Sequence, residues 1–424
     1  MIIFKNGIVI DPETSYVGKK DIAVEGNVIV RIEDSIVPNA LDQVIDCTGK
    51  YIGPGLVDVH VHFRDPGFTY KEDIDSGSRA AIRGGFTSVI LMANTKPAVD
   101  NRETIDYVLN KGKETGIRVY TCANITKGMQ GMELNDFKEL LSAGAIGFTD
   151  DGVPLLDEDL VRKAMLQAKE TDSVLSFHEE NPEYIDNNGI NRGVASEYFG
   201  VGGSDRNAEI SMVKRDLRLA LETGAKVNFQ HLSTKEAIEL IREAKKEGKA
   251  PNIYAEATPH HIALTEAAIL EHGTLAKMNP PLRTEADRRE IICGLLDGTI
   301  DLIATDHAPH SIEEKNKKIT EAPSGITGLE TAFAIANKYL VKEEKMDILQ
   351  LFCKMSYNPA KMYGIEAGKL AQNFKADLVV FDPNMIWEYN ETCSKSCNSP
   401  FFHTQLVGKV MMTMCDGKIL YNEM

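Results

Sequence analysis

Four polar side chains alternate within the apolar stretch LVDVHVHFRDPG at residues 56–67: Asp58, His60, His62 and Arg64. Successive side chains of a β-strand point to opposite faces, so a strand here puts all four on one face. Two imidazoles two residues apart on one face reach a single metal ion, and a guanidinium beside them binds an anion. A carboxylate, two imidazoles and a guanidinium are too polar to bury without partners. That favours a metal-and-anion site over a pair of ordinary core histidines.

A metal site needs further ligands, and they recur at a regular place. Short apolar runs of strand length occur at 56–63, 87–94, 117–124, 145–150, 173–180, 226–233, 252–260 and 301–310. Amphipathic segments such as LVRKAMLQAKE and STKEAIELIREAKKEG lie between them. Eight strand–helix units predict an α/β fold with a parallel sheet and right-handed crossovers, closed as a (β/α)8 TIM-type barrel. An open doubly wound sheet would want a glycine-rich nucleotide fingerprint after its first strand, and that stretch has none.

Barrels of this kind carry their sites at the C-terminal ends of the strands. Those ends supply His60, His62 and Arg64, then Asn94, Asp150 with Asp151, His178, His231 and Asp306. Imidazole nitrogens with carboxylate oxygens suit zinc. Four histidines and two aspartates exceed the needs of one tetrahedral ion, and a carboxylate can bridge two ions about 3.5 to 4 Å apart. Alternation leaves the choice between Asp150 and Asp151 open. The chemistry implied is hydrolysis, or its reverse, at an amide-like carbon, with Asp306 carrying the proton. His260 and His261 are adjacent and cannot both face inward, so they read as supporting residues. His272, His307 and His403 have no ligand pattern around them.

The two ends of the chain differ from the middle. Residues 1–52 and 365–424 read as short strands with turns at Asn6-Gly7, Glu25-Gly26-Asn27 and Asp416-Gly417. They predict a composite β-sandwich domain built from both termini, with the barrel at 53–364. A net charge of -16 argues against nucleic acid or a membrane surface as partner. Without a signal-peptide pattern the expected location is cytoplasmic, and the seven scattered cysteines read as reduced thiols. The charged stretch SIEEKNKKITEAPS at 311–324 reads as a mobile surface loop near the site, either a lid or a solvated excursion.

The blocks HVHFRDPG (60–67), MANTKP (92–97), FTDDG (148–152), TPHH (258–261), MNPPLR (278–283) and ATDHAPH (304–310), with His178 and His231 between them, resemble the dihydroorotases. The likeness is to the longer bacterial form within the amidohydrolase superfamily and spans nearly the whole chain. It implies reversible cyclisation of N-carbamoyl-L-aspartate to L-dihydroorotate in pyrimidine biosynthesis. It also implies two Zn2+ per subunit. His60 and His62 would hold one, His178 and His231 the other, Asp151 would be shared, and Asp306 would be both ligand and acid/base. Arg64, Asn94 and His310 are similar to the family's clamp on the substrate carboxylate, and Asn279, Ser324 and Gly325 to its contacts with the pyrimidine ring. A homodimer, and association with aspartate transcarbamoylase, belong to the same implication. Many relatives bridge their metals with a modified lysine on the fourth strand; AIGFTDDG has none, which leaves the bridge to an aspartate. Asn373 stands where relatives usually show glycine, and asparagine tolerates the same left-handed backbone. Two rival readings share the ligands: a hydantoinase or allantoinase, and a non-catalytic partner of aspartate transcarbamoylase.

Overall fold

The computed structural model describes the backbone of residues 1–424 and every side chain except that of Glu247. The chain begins with β1 (Ile2–Asp11), β2 (Tyr16–Glu25), β3 (Val28–Glu33), β4 (Gln43–Asp46) and β5 (Tyr51–Pro54). The middle contains β6 (Leu56–Val61), β7 (Phe86–Leu91), β8 (Arg118–Thr121), β9 (Gly147–Phe148), β10 (Val174–Phe177), β11 (Lys226–Phe229), β12 (Ile253–Ala257) and β13 (Leu302–Ile303). The end adds β14 (Leu378–Glu388), β15 (Gln405–Cys415) and β16 (Lys418–Asn422).

The eight middle strands coincide with the eight apolar runs. β6, β7 and β8 pair in parallel, as do β9 through β13. Parallel bridges at Ala123–Phe148 and Val61–His307 join the two groups at both seams, which closes the barrel. Helices cover the outside because each has one apolar stripe. In helix Glu158–Glu170, Asp157 caps the first amides and the buried Leu160, Val161, Ala164, Met165 and Ala168 fall on one face. Such stripes join outward strand residues such as Val89, Leu175 and Phe229 in one large cluster. A smaller inner cluster, including Val57, Val59, Ile90, Cys122 and Leu302, fills the lower barrel with help from Ala360 and Met362.

The terminal strands form one connected sheet in the order β16-β15-β14-β5-β1-β2-β3, with β4 also paired to β1. The ends of the chain meet where β5 pairs with β14. Phe4, Val9, Ile22 and Ile52 from the first end pack with Leu378, Val380, Met412 and Met414 from the second. Asn6-Gly7 does not make the expected hairpin. β1 runs straight through it with a register shift, Asn6 taking φ 64°. The shift is needed because β1 pairs with β4 along Ile2–Lys5 and with β5 along Ile8–Val9. Gly26 and Gly417, both at positive φ, do make tight turns. Asn373 takes φ 66°, the left-handed conformation expected of it. No helix among the described residues is long and apolar enough to cross a membrane.

Candidate active site and metal centre

β6 contains an irregularity that alternation alone does not reveal. Its pairing with β7 shifts by one residue between Asp58 and Val61. Val57 and Val59 therefore pack inside the barrel with Ile90, while Val61 packs outward with Val89. The slip brings His60 and His62 to the axis and takes Asp58 off their face. Asp58 instead accepts hydrogen bonds from the amides of His60 (3.1 Å) and Thr305 (3.1 and 3.2 Å). It ties the first strand to the last just below the rim, and burial pushes its carboxyl up to about 6.

The expected ligands converge. The ligand atoms of His60, His62 and Asp151 lie within 4.8 Å of one another, as do those of Asp151, His178 and His231, and those of His60, His231 and Asp306. Asp151 belongs to two of these groups. Its Oδ1 lies 3.5 Å from His60 Nε2, 3.6 Å from His178 Nδ1 and 3.8 Å from His231 Nε2, and its Oδ2 lies 3.4 Å from His62 Nε2. Asp306 Oδ1 lies 3.0 Å from His62 Nε2 and 3.5 Å from His60 Nε2. Asp150 takes no part. Its carboxylate accepts from Asn124 Nδ2 and from the Ile125 and Thr126 amides, pinning the loop after β8. Three-dimensional pairing thus separates two neighbours that periodicity could not.

Three of the four imidazoles are oriented from behind. His60 Nδ1 donates to Glu256 Oε2 (3.1 Å), His62 Nδ1 to Asn94 Oδ1 (3.0 Å) and His178 Nε2 to Glu180 Oε2 (3.1 Å). Such contacts fix the ring and direct its other nitrogen toward a metal. Glu256 and Glu180 were missed from sequence; the one signal was a glutamate inside the otherwise uncharged strand IYAEA. His231 and Asp306 reach the cluster from backbone at positive φ, 33° and 46°. That turn matters for His231, because alternation from Asn228, which meets Glu256 inside the barrel, sends Gln230 inward, where its Nε2 lies 3.3 Å from His60 Nδ1, and the positive φ brings the next residue, His231, in as well. Residues held in rarely populated backbone regions concentrate at functional sites.

The electrostatics are those of a cation site. Burial pushes the His60 ring down, yet Asp306 and Asp151 overcome it and hold the ring well above the ordinary histidine range. Burial likewise opposes His178, which Asp151 and Glu180 raise to about 10. Both aspartates resist the upward push of burial, Asp151 through His60, His178 and His231, and Asp306 through His60 and His62. His60 Nε2 and Asp151 Oδ1 are buried with no hydrogen-bond partner among the described residues. Orphaned donors of this chemistry, aimed at one point, fit divalent metal ions of the zinc type.

A cavity of about 410 Å³ opens over the cluster, lined by His62, Asp151, His178, His231 and Asp306 and by Arg64, Asn94, Asn279, His310 and Ser324. Arg64 Nε donates to the Pro309 carbonyl (3.3 Å). Asn279 Nδ2 lies 3.2 Å from His178 Nε2, and its buried Oδ1 has no partner among the described residues. Asn94 is committed to the cluster: its Nδ2 donates to the Asp151 carbonyl (3.2 Å) as well. His310 is engaged too. Its Nε2 donates to the Ser324 carbonyl (2.9 Å) and Lys71 Nζ lies 3.3 Å from its Nδ1. Burial, Arg64 and Lys71 all push its pKa down, so it stands there as a neutral ring. Gly325 sits behind the wall, its N–H donating to the Lys277 carbonyl and its carbonyl accepting from Lys315 and Asn398. His261 is buried away from the cluster, between Thr258 and the Pro280 carbonyl. His307 is buried against Glu72, and the Gly328 amide donates to its Nδ1.

The sequence profile of the amidohydrolase family matches residues 51–420. A dihydroorotase of Clostridioides difficile (strain 630) is 50% identical over 422 residues, covering all of both chains. A second, from Clostridium acetobutylicum, is 48% identical over 425 residues with the same full coverage. The chain belongs to the amidohydrolase family, among its dihydroorotases. The dihydroorotases are metal-dependent cyclic amidohydrolases, and the protein is such an enzyme. Among solved structures the L-hydantoinase of Arthrobacter aurescens superposes with a TM-score of 0.87 at 23% identity, covering 100% of this chain and 96% of that one. The D-hydantoinase of a Thermus species gives 0.85 at 24%, with the same coverage. At these identities the likeness concerns the fold alone.

Proposed function

We propose that the protein interconverts N-carbamoyl-L-aspartate and L-dihydroorotate, as the dihydroorotase step of pyrimidine synthesis. The observation that carries this reading is Asp151, shared between His60–His62 and His178–His231 in a cavity that also holds Arg64. Two zinc ions, one on His60, His62 and Asp306, the other on His178 and His231, with Asp151 between them, would supply a Lewis acid and a water of lowered pKa.

The chain's own residues do the rest. Arg64 holds the non-reacting carboxylate through charge-assisted hydrogen bonds, which fixes the ring over the cluster. Asn279 Oδ1, buried and without a partner among the described residues, is placed to accept from a ring N–H. In the hydrolytic direction the water oxygen joins the ring carbonyl carbon and the carbon–nitrogen bond breaks. Asp306 takes the proton from the water at its carboxylate and delivers it to the leaving nitrogen. Synthesis reverses each transfer. Asn94 and the neutral His310 act less as direct clamps than as fixed walls, since both are hydrogen-bonded within the protein. The division into a barrel at 53–364 and a terminal domain at 1–52 plus 365–424, a cytoplasmic location and a homodimer belong to the same reading.

The test is the initial rate of zinc-reconstituted protein on L-dihydroorotate, hydantoin and allantoin, with a metal count on the same sample. Dihydroorotate is expected to be opened fastest, with two zinc ions per chain. Faster opening of hydantoin or allantoin would overturn the assignment. So would less than one metal per chain with no turnover.

A further inference from the structure

Ser311–Gly325, charged in composition, is held by two buried lysines, Lys315 within the segment itself and Lys277 on the long connection after β12. Lys315 is only 2% exposed and Lys277 4%. Lys315 Nζ donates to the carbonyls of Pro323 (2.9 Å) and Gly325 (2.9 Å) and lies 3.5 Å from that of Lys277. Lys277 Nζ donates to the carbonyls of Ile319 (2.7 Å) and Ala322 (2.7 Å), and its own carbonyl accepts from the Gly325 N–H (2.9 Å). An ammonium has three donors and no acceptor, and burying it without partners is costly. Here backbone carbonyls take the place of counter-ions.

Ala322 and Pro323, whose carbonyls the lysines hold, line one side of the cavity together with Thr320 and Ser324, and Ile319 and Gly325 flank them from behind. At its tip Ser324 Oγ donates to Asn188 Oδ1 (3.1 Å), so two long strand–helix connections meet over the cavity. The chain passes so close to His310 that a Cβ on Gly325, at φ 157°, would stand 2.5 Å from the Ala308 carbonyl oxygen. An apolar side chain would fill the same space without directing the carbonyls; an ammonium fixes their positions.

We propose that Lys277 and Lys315 are positioning residues for the substrate: their buried ammonium groups gather the backbone carbonyls of residues 319–325 into a fixed wall that seats the ring edge at Ser324. The identity of that ring rests on the dihydroorotase reading. The wall meets the same ring edge before and during reaction, so losing an anchor removes uniform binding and raises KM rather than lowering kcat.

The test uses Lys315→Met and Lys277→Met in full-length, zinc-loaded protein. Each is expected to raise KM for dihydroorotate by about tenfold or more, the scale of a lost charge-assisted hydrogen bond. kcat should stay within about threefold, metal content should be unchanged, and amide hydrogen exchange should accelerate within 311–325 alone. An unchanged KM with a lowered melting temperature would overturn the proposal, and so would a fall in kcat equal to that in kcat/KM. Where one variant fails to fold, the other decides. If the unaltered protein leaves dihydroorotate intact, the dihydroorotase reading fails and exchange decides alone: acceleration confined to 311–325 supports the anchoring, and unchanged exchange overturns it.

Discussion

Asp306 stands at the point where the proposed proton transfer must pass, with Oδ1 3.0 Å from His62 Nε2. Its positive φ turns the carboxylate toward the cavity rather than along the strand. Asp306→Ala is expected to lower kcat by about a thousandfold or more, within the range that positioned acid–base groups supply. The fold should remain, because the backbone ties at this rim come from Asp58. Near-normal kcat would remove Asp306 from proton transfer. For Arg64→Met the expectation is a KM higher by about ten- to a hundredfold, from losing a charge-assisted contact to a carboxylate. An unchanged KM would place the carboxylate elsewhere. Asp150 and Asp151 show what residue types leave undecided. Both are buried acids at a strand end, and the donors on the loop after β8 claim the first.

Among the elements, β6 carries the clearest lesson. Its sequence alternates faultlessly, yet the strand holds a one-residue shift between Asp58 and Val61. Asp58 converts that shift into a joint between β6 and β13 by accepting the His60 and Thr305 amides. Asp58→Ala should therefore destabilise the protein by about 2 to 5 kcal/mol, since each orphaned buried amide costs about 1 to 3 kcal/mol. Asp58→Asn, which keeps one carbonyl acceptor, should fall between. Denaturant unfolding measures both, and a loss under about 1 kcal/mol for the alanine variant would contradict the joint. The segment 311–325 marks the opposite case, in which composition suggested solvent. Lys315 is buried because backbone carbonyls, which no side-chain pattern reports, surround its ammonium group.

At the scale of the whole molecule, the histidine–aspartate cluster joins the two halves of the barrel, with His60 on β6, His62 just after it, and His178 and His231 after β10 and β11. Removing metal would leave Asp151 and Asp306 with only the imidazoles of His60, His62, His178 and His231 around them. A ligand at a thousand times its Kd stabilises the folded state by about 4 kcal/mol. Chelator-stripped protein is therefore expected to melt about 5 °C or more below the zinc-loaded form and to recover on adding zinc. Identical melting curves would argue that these residues hold no metal. The terminal sheet depends on both ends of the chain in the same way, since β5 and β14 complete each other's pairing.

The sequence by itself determined the eight strands, their parallel order, the composite terminal sheet and the rim positions of the candidate ligands, because burial imposes periodicity and each βα unit repeats it. Tertiary structure alone decided that Asp58 leaves the histidine face, that Asp151 rather than Asp150 meets the imidazoles, and that His231 turns inward beside Gln230. It also decided that Asn94 and His310 are already hydrogen-bonded and that two lysines hold the cavity wall. These outcomes depend on which donors and carbonyls arrive from strands and loops far away in the chain. A local pattern records whether a side chain is buried; it does not record what it meets there.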